Sequence, residues 1–152
     1  AISAGNKTIM NMKQVPSFTE LLADPEIEVM KFIAFDSRGH EAFADVKKEI
    51  AELGDLVITS SSSSNIEINA DEAQKGLALL DYAKLKNIKK DEIAAIGDNL
   101  NDESMIRAAG VGVAMGNAIP LIKDIAQVTT KNNNEDGVAY ILNQFIKDNQ
   151  QK

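Results

Sequence analysis

The sequence contains no cysteine, which excludes disulfide scaffolds, thiolate zinc sites and cysteine nucleophiles. It holds one histidine, His40, too few for a multi-histidine metal site within one chain. Positive charge is in deficit: 16 Lys and Arg stand against 23 Asp and Glu, a formal net charge of −7. Nucleic-acid backbones and anionic membranes both need a basic face, so neither is expected as a partner. A small anionic ligand held by one lysine and a metal stays compatible with this balance. No apolar run approaches the roughly 18 residues of a membrane span, and the N-terminus lacks a charged-then-apolar signal pattern. The expected location is the cytoplasm. What is present is globular in character: 152 residues, 44% hydrophobic and 26% charged, enough for one ordinary domain or a small domain and part of another.

The pattern alternates between helix and strand. Ser17 and Glu20 have capping-box spacing before Leu21 and Leu22, and Asp24-Pro25 stops that helix. Ile27 to Phe35 suits a strand, and Gly39 marks a turn. Phe43, Val46, Ile50 and Leu53 recur on one helical face, with Gly54 as the C-terminal cap. Asp55 to Thr59 reads as a strand, Ser60 to Ser64 as a mobile connector, and Asn65 to Asn69 as a third strand. A helix is predicted over Asp71 to Leu85, with Leu77, Leu80 and Ala83 inward. Ile93 to Ile96 and Val111 to Met115 read as strands buried on both faces, as in a parallel sheet. Helices are predicted over Asp102 to Ala109, Pro120 to Ile125 and Val138 to Lys147, with a strand over Gln127 to Thr130. This pace implies βαβ units. The change of character near residue 70 is the expected domain boundary, with Asn69 to Asp71 as hinge.

One stretch concentrates chemistry. Gly97-Asp98-Asn99-Leu100-Asn101-Asp102 places two carboxylates and two carboxamides directly after a buried strand. Ligands of open α/β sheets bind beyond the carboxyl ends of strands. These oxygens suit a hard cation such as Mg²⁺. The plainer alternative is a polar turn in which Asp102 caps the next helix, which explains one acid but not the cluster. Lys75-Gly76 opens the preceding helix; alone, Lys75 reads as a solvated charge, though Gly76 inside a helix needs a reason such as close backbone approach. Asn132 to Gly137 is a further polar loop after a strand, readable simply as a turn. Gly116-Asn117 reads as a turn, and His40 as a surface residue without a Ser or Cys partner at motif spacing.

Four blocks together are more specific: Lys75-Gly-Leu-Ala-Leu79, Ile96-Gly-Asp-Asn-Leu-Asn-Asp-Glu-Ser-Met-Ile106, Ala109-Gly-Val-Gly-Val-Ala-Met-Gly-Asn-Ala118 and Asn133-Asn-Glu-Asp-Gly-Val-Ala139. In this order and spacing the chain resembles the haloacid dehalogenase-like superfamily, and within it the Cof-like sugar-phosphate phosphatases. The likeness covers residues 66 to 147 well and residues 1 to 65 loosely. It implies an α/β fold: the later half of a doubly wound, Rossmann-like parallel-sheet core over residues 71–152, with part of an α/β cap domain over residues 1–70. It implies Mg²⁺-dependent hydrolysis of a small phosphorylated metabolite through an aspartyl-phosphate. Lys75 would neutralise the nucleophile and phosphoryl oxygens, and Asp98 would bind Mg²⁺ directly. Asp102 would hold the metal through water or orient Lys75, Asn101 would fix the loop, and Asn133 would face the phosphate.

The family's nucleophile and acid/base form an Asp-x-Asp pair, and this sequence contains none. Ala1 to Gly5 resembles the middle of a cap. The expectation is a C-terminal part of a longer protein, inactive alone, with an unpaired sheet edge open to self-association. A non-catalytic binding or oligomerisation module and a phosphohexomutase of the same superfamily are the rival readings.

Overall fold

The computed structural model describes residue 15 and residues 17–150. The first five residues, read above as cap, lie outside the described residues. The chain divides into two compact units after Met30. In the first, helix α1 (Phe18–Leu22) is capped by Ser17, whose hydroxyl accepts from the Thr19 amide at 3.2 Å. The second unit, from Lys31 onward, holds two sheets.

The first sheet is built from β1 (Phe32–Phe35), β2 (Leu56–Thr59) and β3 (Asn65–Ala70), with helix α2 (Ala44–Ala51) between β1 and β2. Its order is β1-β3-β2 and both ladders are antiparallel. β1 is shorter than the apolar run from Ile27 predicts. Its register with β3 starts at Phe32↔Ile68, and continued upstream it reaches the end of β3 within two residues. On α2, Phe43 just before the helix is buried, but Val46 and Leu53 are exposed, against the expectation from their spacing. The helix is capped at Glu52, and Gly54 follows with φ +73°, a left-handed turn that suits glycine.

β3 carries the feature that matters for the site. Its odd positions Asn65, Glu67 and Asn69 are polar and buried, and apolar Ile66 on the other face is buried too. Side chains alternate across a strand, so the three polar groups share one face. That face also carries Val57 and Thr59 of β2, which pair with Asn69 and Glu67.

The second sheet follows helix α3 (Lys75–Lys86). It comprises β4 (Ala94–Gly97), β5 (Val111–Ala114) and β6 (Val128–Thr129), parallel and in the order β4-β5-β6. Helix α4 (Glu103–Ala108) crosses from β4 to β5, α5 (Pro120–Ile125) from β5 to β6, and α6 (Gly137–Gln150) closes the chain. This is the α/β architecture that the alternation predicts. Ile106, Val113, Ala114 and Ile122 are fully buried at its centre.

Helix α3 starts at Lys75, not at Asp71. The Asp71 amide donates to the Asp55 carbonyl and the Ala73 amide to Ala70, so these residues turn rather than coil. Ala83 is buried as its spacing predicts, but Leu77 and Leu80 are exposed, which corrects that part of the inward face; Gly76 is buried in their place. The cause is a close approach of α3 to α4. A Cβ on Gly76 would collide with the Ser104 carbonyl, and the Gly76 amide donates to Ser104 Oγ at 3.0 Å.

Candidate functional site

The site forms where β4 ends. Asp102 is buried and both its oxygens are engaged. Oδ2 accepts from the backbone amides of Asp98 at 2.9 Å and Asn99 at 3.3 Å, and Oδ1 accepts from Lys75 Nζ at 2.5 Å. The seat depends on Gly97, because a Cβ there would collide with the Asp102 side chain. One carboxylate thus folds its own loop back on the strand end and points Lys75, from the first turn of α3, into the same space.

Asp98 is half-buried at the strand's carboxyl end. Its carbonyl accepts from the Ile119 amide at 3.0 Å, which fixes the backbone. Its Oδ2 accepts from Asn117 Nδ2 at 2.9 Å, while Oδ1 has no hydrogen-bond partner among the described residues. Asn117 Oδ1 in turn accepts from the Asn133 amide at 3.0 Å. The structure therefore brings Lys75, Asp98, Asn101 and Asp102 together and joins Asn133 to them through Asn117. From the sequence Gly116-Asn117 reads as a turn, and the only signal of a site role for Asn117 is its place in the Met115-Gly-Asn-Ala118 block.

The Ser60–Ser64 stretch is also more than a connector. Asn65 Oδ1 accepts from the amides of Ser61 and Ser62, both at 3.1 Å, and Asn65 Nδ2 donates to Ser61 Oγ at 3.0 Å. His40 Nε2 lies 2.8 Å from the Ser62 carbonyl and 3.1 Å from Ser60 Oγ, so His40 is a half-buried tie and not a partnerless surface residue. The Ser60 carbonyl accepts from the Asn101 amide at 3.1 Å, joining this loop to the loop after β4.

Beside Lys75 and Asn101 lies a cavity of about 380 Å³, walled by β2 and β3 on one side and α3 and α4 on the other. Among the described residues three cations line it, and each has a carboxylate partner: Lys31 with Glu67 at 2.6 Å, Lys75 with Asp102 at 2.5 Å and Arg107 with Glu103 at 2.9 Å. Burial pushes the Glu67 carboxyl up. Hydrogen bonds from Lys31 and Ser61, with the charges of Lys31 and Lys75, outweigh it and leave the group below the ordinary glutamate range. Glu67 is thus held ionised at neutral pH.

The strand end offers a hard cation one carboxylate, although no group of three or more His, Asp or Glu side chains that could hold a metal gathers among the described residues. Asp98 offers a free carboxylate oxygen at a half-exposed position, and Mg²⁺ takes few carboxylates and keeps several waters. Both oxygens of Asp102 are already engaged, so it offers no oxygen free of a hydrogen bond.

Residues 4–142 match the haloacid dehalogenase-like hydrolase family. The chain is 43% identical over 134 residues to the phosphatase YwpJ of Bacillus subtilis (strain 168), covering 87% of this chain and 46% of that protein. It is 38% identical to the 5-amino-6-(5-phospho-D-ribitylamino)uracil phosphatase YcsE of the same organism, covering 85% of this chain and 51% of that one. Its fold is similar to a solved haloacid dehalogenase-like hydrolase from B. subtilis, with TM-score 0.79 and 41% identity over 85% of this chain and 45% of that one. A subclass IIB sugar phosphatase aligns with TM-score 0.72 and 27% identity over 85% of this chain and 46% of its own. The chain spans about half the length of the curated relatives it matches. On the family match and these identities, the chain belongs to the haloacid dehalogenase-like hydrolases.

Proposed function

We propose that this chain is part of a Mg²⁺-dependent phosphatase that hydrolyses a small phosphorylated metabolite, a sugar phosphate, in the cytoplasm. The names of its relatives, phosphatases of a phosphoribityl compound and of sugars, support the substrate class. In this reading residues 1–70 are part of the cap and residues 71–152 the later part of the core, in keeping with the separate sheets on either side of residue 70.

The observation that carries the reading is the Lys75–Asp102 pair seated beside the free oxygen of Asp98. Asp98 would hold Mg²⁺, which would supply positive charge to the phosphoryl oxygens. Asp102, with both oxygens engaged, acts by orienting Lys75 and the loop. Lys75 meets the phosphoryl group, Asn101 fixes the loop through Ser60, and Asn133 stands at the phosphate end through Asn117. This arrangement answers an electrostatic problem. A carboxylate approaching a phosphate repels it by about 4 kcal/mol per pair of unit charges at 4 Å and an effective dielectric of 20. Phosphoryl transfer then needs positioning more than bond-making power from the protein. The sequence holds no Asp-x-Asp pair, so the aspartate that would form the aspartyl-phosphate lies outside these residues.

The test combines binding and turnover. Calorimetric titration with Mg²⁺ and inorganic phosphate is run on this chain and on Asp98→Asn and Lys75→Met. Turnover of p-nitrophenyl phosphate is run on this chain and on a version extended upstream of Ala1. We expect weak Mg²⁺ binding that Asp98→Asn abolishes, phosphate binding that Lys75→Met weakens, and turnover only in the extended version. Mg²⁺-dependent turnover by the short chain would show the nucleophile to be misplaced. Inactivity of both would move the reading to a non-catalytic module.

Self-association belongs to the same proposal. The carbonyls of Ile93 and Gly97 accept from Val111 and Met115 of the β5 side, so the groups of Ala94 and Ile96 point to the opposite edge. That edge has no strand beside it among the described residues. Open edges of this kind recruit a second strand. A monomer by light scattering at every concentration from micromolar to millimolar would count against it.

A further inference from the structure

The loop after β4 leaves one backbone amide for a group outside it to satisfy. Of the five amides from Asp98 to Asp102, four find acceptors within the loop: Asp98 and Asn99 donate to Asp102 Oδ2, Leu100 to Asn99 Oδ1 at 2.9 Å, and Asp102 to the Asn99 carbonyl at 2.9 Å. The fifth, Asn101, donates to the Ser60 carbonyl at 3.1 Å, across to the other sheet. An amide away from water needs such an acceptor, so the loop depends on where Ser60 stands. Ser60 is 1% exposed. Its hydroxyl donates to the Ser62 carbonyl at 2.9 Å, and His40 Nε2 reaches both that carbonyl and Ser60 Oγ. A carbonyl only accepts, so Nε2 carries the ring proton and shares it between the two oxygens. A second proton would go to Nδ1 and leave this donor in place, so the imidazole holds the loop in either charge state. Asn65, the loop's other anchor, holds Ser61 and Ser62, whereas His40 meets Ser60 itself.

We propose that His40 is a positioning residue of the phosphate site: it fixes the Ser60 carbonyl that holds the Asn101 amide, and through it the loop between Asp98 and Asp102. The inference rests on the phosphatase reading above. The imidazole is delivered from a constrained turn. Gly39 has φ +83°, a left-handed value that suits glycine, and a Cβ there would press on the Ser63 carbonyl at 3.2 Å. The Asp36 amide donates to the Ser64 carbonyl at 2.9 Å, and Phe43, at the end of the helical turn that His40 opens, is buried. At the other end of the chain of contacts, Asn101 stands between the carboxylate that would hold Mg²⁺ and the one that orients Lys75, and it lines the same cavity as Lys75. A loop whose amides are all held before the ligand arrives has less freedom to lose on binding, and binding is tighter by that difference.

The experiment compares this chain with His40→Ala and His40→Gln, whose carboxamide restores an N–H donor at similar reach. Backbone amide hydrogen exchange is followed in ¹⁵N–¹H spectra, and inorganic phosphate is titrated calorimetrically in the presence of Mg²⁺. In His40→Ala the Asn101 amide should exchange about fivefold faster, the worth of one ordinary hydrogen bond, while the amides of Asp98 and Asp102 keep their rates. Phosphate should bind about fivefold more weakly, and His40→Gln should restore both values. If His40→Ala does not fold, Ser60→Ala takes its place with the same expectation, because it removes the hydroxyl that His40 meets and keeps the Ser60 carbonyl. An unchanged Asn101 amide overturns the inference. So does a rise in exchange shared equally by Asp98, Asp102 and the strand β3, which would mark a general loss of stability, or a His40→Gln chain that behaves like His40→Ala. A faster Asn101 amide with phosphate bound equally by all the chains would leave His40 a structural tie and overturn its role in the site. Failure of phosphate to bind the unaltered chain would defeat the phosphatase reading, and the inference with it.

Discussion

The two sheets of the second unit solve the burial problem in opposite ways. In β4 and β5 the buried positions are Ala95, Gly97, Gly112, Val113 and Ala114, small or apolar residues that let helices press close. Polar chemistry is kept to the strand end, at Asp98 and Asp102. In β3 the polar residues Asn65, Glu67 and Asn69 are themselves buried, while Ile33 and Phe35 of neighbouring β1, on the same face by register, are exposed. The second sheet is a scaffold with a site at its strand end; the first carries its polar groups on its face. A scaffold strand can lose a surface group cheaply, whereas a strand that presents buried polar groups depends on each partner.

The difference can be broken at either end by removing the residue that ties each loop. Asp102→Ala removes a buried acceptor serving two backbone amides and Lys75. We expect a loss of about 3 kcal/mol in chemical denaturation, since orphaned buried donors each cost about 1–3 kcal/mol and Lys75, half-exposed, recovers water. Asn65→Ala frees the Ser61 and Ser62 amides in a partly exposed loop, where water substitutes. Its expected loss is about 1 kcal/mol. Equal losses would erase the distinction between a strand-end carboxylate and a loop tie.

The strand-end half of this picture was readable in the sequence because it is local. Asp98, Asn101 and Asp102 lie within one loop, so spacing places them together; Lys75, which alone reads as a solvated charge, and Asn133, which alone reads as part of a turn, join them only through the family resemblance. The residues that escaped reading make contacts across long separations: Asn117 to Asp98 and Asn133, and His40 to Ser60. Asn65 to Asn69 reads as a strand, but nothing in the sequence says that its polar residues Asn65, Glu67 and Asn69 are the buried ones. Likewise Leu77 and Leu80 satisfied helical periodicity, but the close approach at Gly76 selected small residues for the contact.

The finest probe of the contrast is acid. Glu67 has its carboxyl held below the ordinary glutamate range in the folded chain. A group whose folded pKa is depressed stabilises the fold above its unfolded pKa and loses that contribution as pH falls through the folded value. The Lys31–Glu67 contribution should therefore be complete above about pH 4.3 and decline below it. Lys31 is 40% exposed in this pair, so solvent screening limits the effect to under about 1 kcal/mol. A second carboxylate titrates further down: hydrogen bonds from the Arg38 side chain and amide lower Asp36 to about 2. The two are separated by following urea stability against pH in Glu67→Gln and Asp36→Asn. Glu67→Gln should be less stable than the unaltered chain at neutral pH, with the gap closing as pH drops below the glutamate range. In Asp36→Asn the gap should persist to lower pH. A gap in Glu67→Gln that stays constant from neutral pH into acid would mean that Glu67 is held by packing, not by its charge, and the buried polar face of β3 would then behave like the scaffold sheet.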